Sequence, residues 1–152
     1  MNKVIESSKE GYLISTDSQK VNLDSVHGYL SRDSYWAKNI PREVVRRSIE
    51  NSICFSILKN GDQVGFARVV TDRATFAYLA DVFIVEQERG KGLSKWLMQF
   101  IHEHPDLQGL RRWMLGTRDA HALYAAFGWT PIPQEMAGRF MQKHDPGVYD
   151  IR

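Results

Sequence analysis

The clearest pattern in the chain is an amphipathic stretch that follows Gly92. Apolar residues recur there at spacings of three and four, which places their side chains on one helical face: Leu93, Trp96, Leu97, Phe100 and Ile101. Polar residues fall on the opposite face, at Lys95, Gln99 and Glu103. The pattern predicts a surface helix that begins near Leu93 and is ended by Pro105.

A run of four apolar residues, Val82–Val85, precedes this helix. Successive side chains of a strand point to opposite faces, so a continuous apolar run indicates a strand covered on both sides. We expect this central strand to extend from Phe76 through Val85. Two more apolar segments, Cys54–Leu58 and Val64–Val70, flank Asn60-Gly61-Asp62, which is typical of a hairpin turn.

The first third of the chain predicts one short strand and two helices. Tyr12–Thr16 is an apolar stretch of strand length. Helical spacing from Leu23 to Leu30 follows Asn22, a good N-cap residue. Pro41 suits the first turn of a second helix. The inner face of that helix is predicted at Val44, Val45, Ser48 and Ile49.

The segment beyond the amphipathic helix predicts strand, helix and strand. The elements are a short buried strand at 113–117, a helix from Ala120 to Phe127 capped by Asp119, and a strand around Arg139-Phe140-Met141. The order of elements along residues 1–152 predicts a single α/β domain with a central mixed sheet and about four flanking helices.

Composition narrows the class of protein. Of the 152 residues, 43% are hydrophobic and 25% charged, which is ordinary for a globular domain, and the net charge of +2 does not favour a nucleic-acid partner. Cys54 is the only cysteine, so no internal disulfide can form. No apolar window reaches the ~18 residues of a membrane span, and residues 1–10 lack a signal-peptide pattern. We therefore expect a cytoplasmic protein with no membrane partner.

The turn Gln87-Glu88-Arg89-Gly90-Lys91-Gly92 lies between the central strand and the amphipathic helix. The first amides of a helix have no partner within it, and the helix dipole is positive at that end, so such a turn can bind a diphosphate. Arg89, Lys91 and the hydroxyl of Ser94 would add to the site. A Walker loop would need Ser or Thr at Gly92, and a dinucleotide fingerprint would need glycine at Lys95.

These residues resemble the GNAT family of N-acetyltransferases, whose signature Q/R-x-x-G-x-G/A the turn matches in full. A second segment of the chain resembles another sequence block of the same family. It consists of Trp113–Thr117 followed by Leu123-Tyr124-Ala125-Ala126-Phe127-Gly128-Trp129. The two blocks occur in the family's order, and the resemblance is strongest over residues 64–130. It implies the GNAT fold, with acetyl-CoA as acyl donor and no metal.

The resemblance also implies roles for individual residues. Backbone groups of Phe83, Ile84 and Val85 would hold the pantetheine arm and polarise the thioester carbonyl. The pyrophosphate would be bound by the amides of Arg89, Gly90, Lys91, Gly92, Leu93 and Ser94. Tyr124 would be the general acid beside the CoA sulfur. Thr117 stands where many members have an asparagine that contacts pantetheine.

The expected reaction is direct attack of a neutral primary amine on the thioester. Glu86 and Asp81, at the two ends of the apolar core of the central strand, are candidate bases, and a water chain is the alternative. The acceptor is a small-molecule or peptide amine, and the sequence leaves a homodimer open. Two other classes compete with the enzyme: a non-catalytic acyl-CoA-binding module of the same fold, and a nucleotide- or nucleic-acid-binding domain.

Several remaining residues have both a functional and a structural interpretation. Tyr35-Trp36, in the loop between the first two helices, either walls the acceptor pocket or packs against the core. Arg118 either contacts the adenosine 3′-phosphate or is solvated. In His102-Glu103-His104 the two histidines are two residues apart on a helix and so point to different faces, which argues against a metal site.

Overall fold

One sheet, with its strands in sequence order, forms the centre of the structure, a computed structural model that describes residues 3–150. In that part of the chain the strands are β1 (Glu6–Lys9), β2 (Tyr12–Ser15), β3 (Ile53–Lys59), β4 (Asp62–Thr71), β5 (Phe76–Ile84) and β6 (Arg112–Met114). The α-helices are α1 (Leu23–Gly28), α2 (Arg42–Glu50), α3 (Leu93–His102), α4 (His121–Ala125) and α5 (Gln134–Ala137). Strands β1 to β5 pair antiparallel and β6 pairs parallel to β5, so the predicted single α/β domain with a mixed sheet is confirmed.

The two faces of the sheet carry separate apolar cores. Alternation along β3 sends Phe55 and Ile57 to the core beneath α3, and Cys54 to the core beneath α1 and α2. Cys54 is buried, and burial raises the pKa of its thiol to about 12, so the thiol serves as a small core residue. The predicted inner face of α3 is confirmed, since Leu97 and Ile101 are fully buried.

Local signals placed most of the early elements correctly. Asn22 Oδ1 accepts the amide of Ser25 at 3.0 Å and caps α1, as predicted. Pro41 immediately precedes α2. The hairpin turn between β3 and β4 is confirmed, with Asn60 and Gly61 both at positive φ. Strand β1 was not predicted because its sequence is polar; it forms by pairing with β2.

Three predictions beyond α3 are corrected. The strand predicted at 113–117 is Arg112–Met114, because the chain diverges from β5 after Met114. Asp119 does not cap α4: Ala120 is the N-cap residue and makes no side-chain capping bond, while Thr117 Oγ1 accepts the amide of Ala120 at 3.0 Å. No strand forms at 139–141. Phe140 packs against Arg112 of the edge strand β6, with the guanidinium carbon 4.8 Å from the centre of its ring, but the backbone of the segment does not pair with β6, and Met141 is 97% exposed.

No helix within residues 3–150 combines the length and the apolar character needed to cross a bilayer.

Gly65 in β4 lies where the side chains of β3 and β5 meet over the strand. A Cβ at this position would lie 2.9 Å from Ile84 Cδ1 and 3.2 Å from Ile57 Cβ. The second contact is close to the backbone of β3 and cannot be relieved by a rotamer change. We expect Gly65→Ala to lower the free energy of unfolding by about 1–3 kcal/mol, as measured by chemical denaturation. Gly138→Ala is the matched control because a Cβ there meets nothing within 4 Å; equal stability of the two variants would contradict the packing assignment.

Candidate active site

The site is built around a gap that opens between β5 and β6. The two strands pair only at Phe76–Arg112, Ala77–Trp113 and Tyr78–Met114. Beyond Tyr78, β5 continues to Ile84 with β4 as its partner, while the chain after Met114 turns away towards α4. We call this gap the wedge. It holds a cleft of about 740 Å³ that is bordered by Asp81, Thr117 and Tyr124.

The turn after β5 presents a row of free amides at the start of α3. Gly90 and Gly92 both have φ +78, as the predicted turn required, and a Cβ at either would meet nothing within 4 Å. No side chain caps α3, and the first amide of the helix with a backbone acceptor is that of Trp96, which donates to Gly92 O at 3.1 Å. Within residues 3–150, the amides from Gly90 to Lys95 find no acceptor. A diphosphate would satisfy them and would meet the positive end of the α3 dipole.

The side chains of the turn hold it to the sheet. Glu88 is buried and accepts hydrogen bonds from Lys91 at 2.8 Å, from Tyr12, and from Lys59 at 3.3 Å. These bonds, that from Lys91 foremost, lower the pKa of the Glu88 carboxyl to about 2, so it stays charged. Lys91 is thus committed to Glu88. The predicted ammonium contact with a phosphate would have to be made in addition to this ion pair.

Arg89 is also tied into the fold. Its Nε donates to Ile84 O at 2.9 Å and its Nη2 to Tyr29 Oη at 3.0 Å. Its amide donates to Glu86 O at 3.2 Å and is therefore not part of the free row. Of the predicted phosphate-binding amides, those of Gly90, Lys91, Gly92, Leu93 and Ser94 remain free.

Backbone direction along β5 decides which peptide groups face the wedge. The Val85 amide donates to Val64 O at 2.9 Å, so Val85 faces β4. The backbone N–H and C=O groups of successive strand residues point to opposite sides. Those of Ile84 therefore face the wedge, and those of Phe83 face β4. The Arg89 bond to Ile84 O agrees with this direction. Ile84 is the member of the predicted trio whose amide points into the gap.

Tyr124 projects from α4 to the cleft. It is 8% exposed, and burial raises the pKa of its hydroxyl, with smaller contributions from Tyr35 and Asp119. Its Oη has no hydrogen-bond partner in the described part of the chain, although the atom is not sealed from solvent. A phenol in this state remains protonated at neutral pH and has its proton available to donate.

Comparison with known proteins places this geometry in a family. The model of the acetyltransferase (GNAT) domain matches residues 50–131. A Gibberella zeae protein that is named provisionally as an acetyltransferase is 35% identical over 135 residues, which cover 74% of this chain and 75% of the relative. The chain belongs to the GNAT acetyltransferase family. The family resemblance of the two sequence blocks is therefore confirmed.

Solved structures share the fold of this GNAT domain. A GNAT-family crystal structure from Xanthomonas campestris pv. campestris has 46% identity and a TM-score of 0.89, and the match covers 95% of this chain and 100% of the other. An acetyltransferase from Clostridium acetobutylicum, solved with acetyl-CoA, has 12% identity and a TM-score of 0.65, covering 88% of this chain and 94% of the other. The second likeness concerns the fold alone.

The two candidate bases of this GNAT domain lie in different settings. The chain leaves β5 after Ile84 and enters a 3₁₀ turn over Glu86–Glu88, so the alternation that would have directed Glu86 towards the acyl group does not reach it. Glu86 is exposed. Asp81 borders the cleft, but Arg68 and Trp36 donate hydrogen bonds to its two carboxylate oxygens at 2.9 Å each.

The histidines of the His102-Glu103-His104 segment are structural. His102 Nε2 accepts the indole N–H of Trp129 at 3.0 Å, and its ring lies 4.9 Å from that of Trp113. His104 is buried and its Nδ1 accepts the amide of Asp106 at 3.1 Å. Among residues 3–150 no group of three or more His, Cys, Asp or Glu side chains is placed to hold a metal ion.

Sequence reasoning did not find the side chains that support the site. Glu88 and Lys91 are three residues apart in a recognisable ion-pair spacing, but Tyr12 bonds Glu88 across 76 positions and carries no local signal. The same holds for the bond between Arg118 and Tyr35, which are 83 positions apart. Such contacts follow from the topology of the sheet.

The bond between His102 and Trp129 makes stability depend on pH. Burial lowers the pKa of His102 below its ordinary 6.5. The unfolded chain therefore takes up the proton first as pH falls, and the stability present above about pH 6.5 is lost as pH falls towards the folded-state pKa. We expect a lower free energy of unfolding at about pH 5.5 than at about pH 7.5. His102→Gln should narrow that difference, measured by urea denaturation at both pH values.

His144→Gln provides the control for this experiment because His144 is exposed. The control variant should keep the full difference between the two pH values. If His102→Gln also kept it, the neutral His102 acceptor would not contribute to the pH dependence.

Proposed function

We propose that this chain transfers the acetyl group of acetyl-CoA to a primary amine by direct attack of the neutral amine on the thioester. The observation that carries the proposal is the row of free amides at the start of α3, immediately after the strand that borders the wedge. The Clostridium neighbour, which holds acetyl-CoA, supports the identity of the donor.

The residues present fit the cofactor's phosphates. Five consecutive amides from Gly90 to Ser94 have no partner in the described part of the chain, the two glycines leave open space for a close approach, and the helix dipole adds favourable charge. The pantetheine arm would follow β5 into the wedge, where the unpaired side of the strand supplies hydrogen-bonding groups.

The Ile84 amide is the candidate donor for the thioester carbonyl. It points into the wedge and belongs to a strand that pairs with β4. A preorganised donor that stabilises the charge developing on a carbonyl oxygen is typically worth about 10²–10³ in rate.

Tyr124 is proposed as the general acid for the departing thiolate. Its raised pKa keeps the hydroxyl protonated, Tyr124 borders the cleft, and the hydroxyl has no competing hydrogen-bond partner among residues 3–150. Proton donation at this point would prevent the thiolate from attacking the new amide.

The amine must lose a proton before it attacks. An alkyl ammonium with a pKa of ~10.4 lies ~3.4 units above neutrality, which costs about 4.6 kcal/mol at ~1.36 kcal/mol per unit. Glu86, Asp81 and a water chain remain the candidates for the proton acceptor. Desolvation of the ammonium in the cleft would lower the same cost.

A screen for CoA release against a diverse library of primary amines tests the function directly. Turnover with any amine, dependent on acetyl-CoA, supports an N-acetyltransferase. Binding of acetyl-CoA without turnover across the library would instead favour a non-catalytic acyl-CoA module. Failure of acetyl-CoA to bind or to raise the Tm would remove both.

Ser94→Asp separates cofactor binding from folding. A carboxylate in the first turn of α3 stabilises the helix by about 0.3–1 kcal/mol through the dipole, but it repels a diphosphate at the same amides. We expect unchanged or higher Tm together with at least about tenfold weaker acetyl-CoA binding, or ~1.4 kcal/mol, by titration calorimetry. Ser25→Asp, in the first turn of α1, is the matched control and should bind normally. Full affinity of Ser94→Asp would contradict the turn assignment.

Tyr124→Phe removes the hydroxyl while the ring continues to fill its place between α4 and Trp129. We expect kcat to fall by about 10²-fold or more if proton donation limits turnover, with acetyl-CoA affinity little changed. Steady-state kinetics with the best amine from the screen measures both. An unchanged kcat would reduce Tyr124 to a packing residue.

A further inference from the structure

The loop between α1 and α2 crosses the wedge and is attached on both sides of it. Tyr35 and Trp36 stand next to each other in this loop with their rings at 84° and 5.0 Å apart. Each forms a hydrogen bond with a different wall of the wedge. We call this pair the aromatic strap.

Trp36 attaches the strap to β5. Its indole Nε1 donates to Asp81 Oδ1 at 2.9 Å. The other carboxylate oxygen of Asp81 accepts Arg68 Nε at 2.9 Å, and Arg68 also donates to Ser52 Oγ at 3.2 Å. The Asp81 side chain is 11% exposed, so little room remains for another partner.

Asp81 stands at an irregularity in β5. Phe66 of β4 pairs with Phe83 of β5, and Arg68 pairs with Ala80. Between these two pairs β5 has one residue more than β4. Asp81 has φ +56, which non-glycine residues seldom adopt. The two bonds to its carboxylate hold it in that conformation. The bulge lies three residues before Ile84 and sets the course of the strand along the wedge.

Tyr35 attaches the strap to the opposite wall. Its Oη accepts the amide of Arg118 at 3.0 Å, and the Arg118 guanidinium carbon lies 3.9 Å from the centre of the Tyr35 ring. Arg118 belongs to the segment between β6 and α4, and α4 carries Tyr124. The strap thus links the two walls beyond the point where β5 and β6 stop pairing.

We propose that Asp81 is a positioning residue of the transfer reaction and that the aromatic strap, through Asp81, determines how the acceptor amine meets the thioester. This rests on the proposed acetyltransferase function. To accept a proton, Asp81 would have to give up a hydrogen bond from Trp36 or from Arg68. Its carboxylate instead orients the bulge of β5 and the loop between α1 and α2 together, and Tyr35 aligns the segment that leads to Tyr124.

The kinetic test compares Asp81→Asn, Trp36→Phe and the double variant, with the best amine from the screen. For a positioning role we expect each single variant to lower kcat/KM for the amine by about tenfold. The kcat/KM of the double variant should be no lower than that of the less active single variant, because both changes disrupt the same linkage. In all three variants, kcat/KM for the amine should still fall at low pH (the acid limb of the pH profile) as it does in the wild type, and the affinity for acetyl-CoA should be unchanged. Asp62→Asn, at the exposed start of β4, is the matched control.

Three outcomes would overturn the proposal. One is a loss of about 10²–10⁴-fold in Asp81→Asn with disappearance of the acid limb while Trp36→Phe stays active, which would make Asp81 the general base. Another is multiplication of the two single effects in the double variant. The third is wild-type kinetics in both single variants.

A measurement without turnover keeps this test separate from the function itself. In ¹⁵N-labelled protein, the indole N–H resonance of Trp36 is identified by its absence from Trp36→Phe. Asp81→Asn should shift that resonance, whereas Asp62→Asn should not. An unmoved resonance in Asp81→Asn means that the strap is not attached to β5, whether or not any amine is acetylated.

Discussion

The separation of β5 from β6 is the structural constraint on which the site depends. Two parallel strands that stayed paired would consume the peptide groups on that side of β5. Because pairing ends at Tyr78 and Met114, the later residues of β5 keep one unpaired side, and the cleft lies along it. The end of β5 leads to the turn at Gly90–Gly92, so one strand connects the proposed acyl site with the proposed phosphate site.

An open edge inside a sheet is a costly arrangement, and the surrounding side chains stabilise it from several directions. Glu88 joins the turn at Gly90–Gly92 to β2 and β3 through Tyr12 and Lys59. Arg89 joins the same turn to Ile84 and to Tyr29. These bonds fix side chains while leaving the amides of the turn free. The side chains of Arg89 and Lys91 therefore hold the turn in place without a ligand, while its backbone amides stay available to bind one.

The sequence predicted the parts of the site that depend on local signals. The helix at Leu93 and the glycines of the turn follow from spacing and backbone freedom, and both lie where expected. The bulge at Asp81 could not be predicted because an aspartate at positive φ is held by partners from other strands and loops. The polar strand β1 and the missing strand at 139–141 show the same limit. A strand forms only where its backbone pairs with a neighbouring strand, and the residues of the segment do not specify that pairing.

The walls of the cleft restrict what kind of recognition the acceptor can receive. Asp81 forms an ion pair with Arg68, and Arg118 is stacked on Tyr35, so these charged groups are already committed within the chain. Tyr35, Trp36 and Tyr78 remain between 41% and 44% exposed around the same cleft. An acceptor would meet aromatic faces and a hydroxyl more readily than an unpaired charge. Because Asp81 is already paired, it offers little stabilisation to an ammonium ion, and only the neutral form of an amine can attack a thioester.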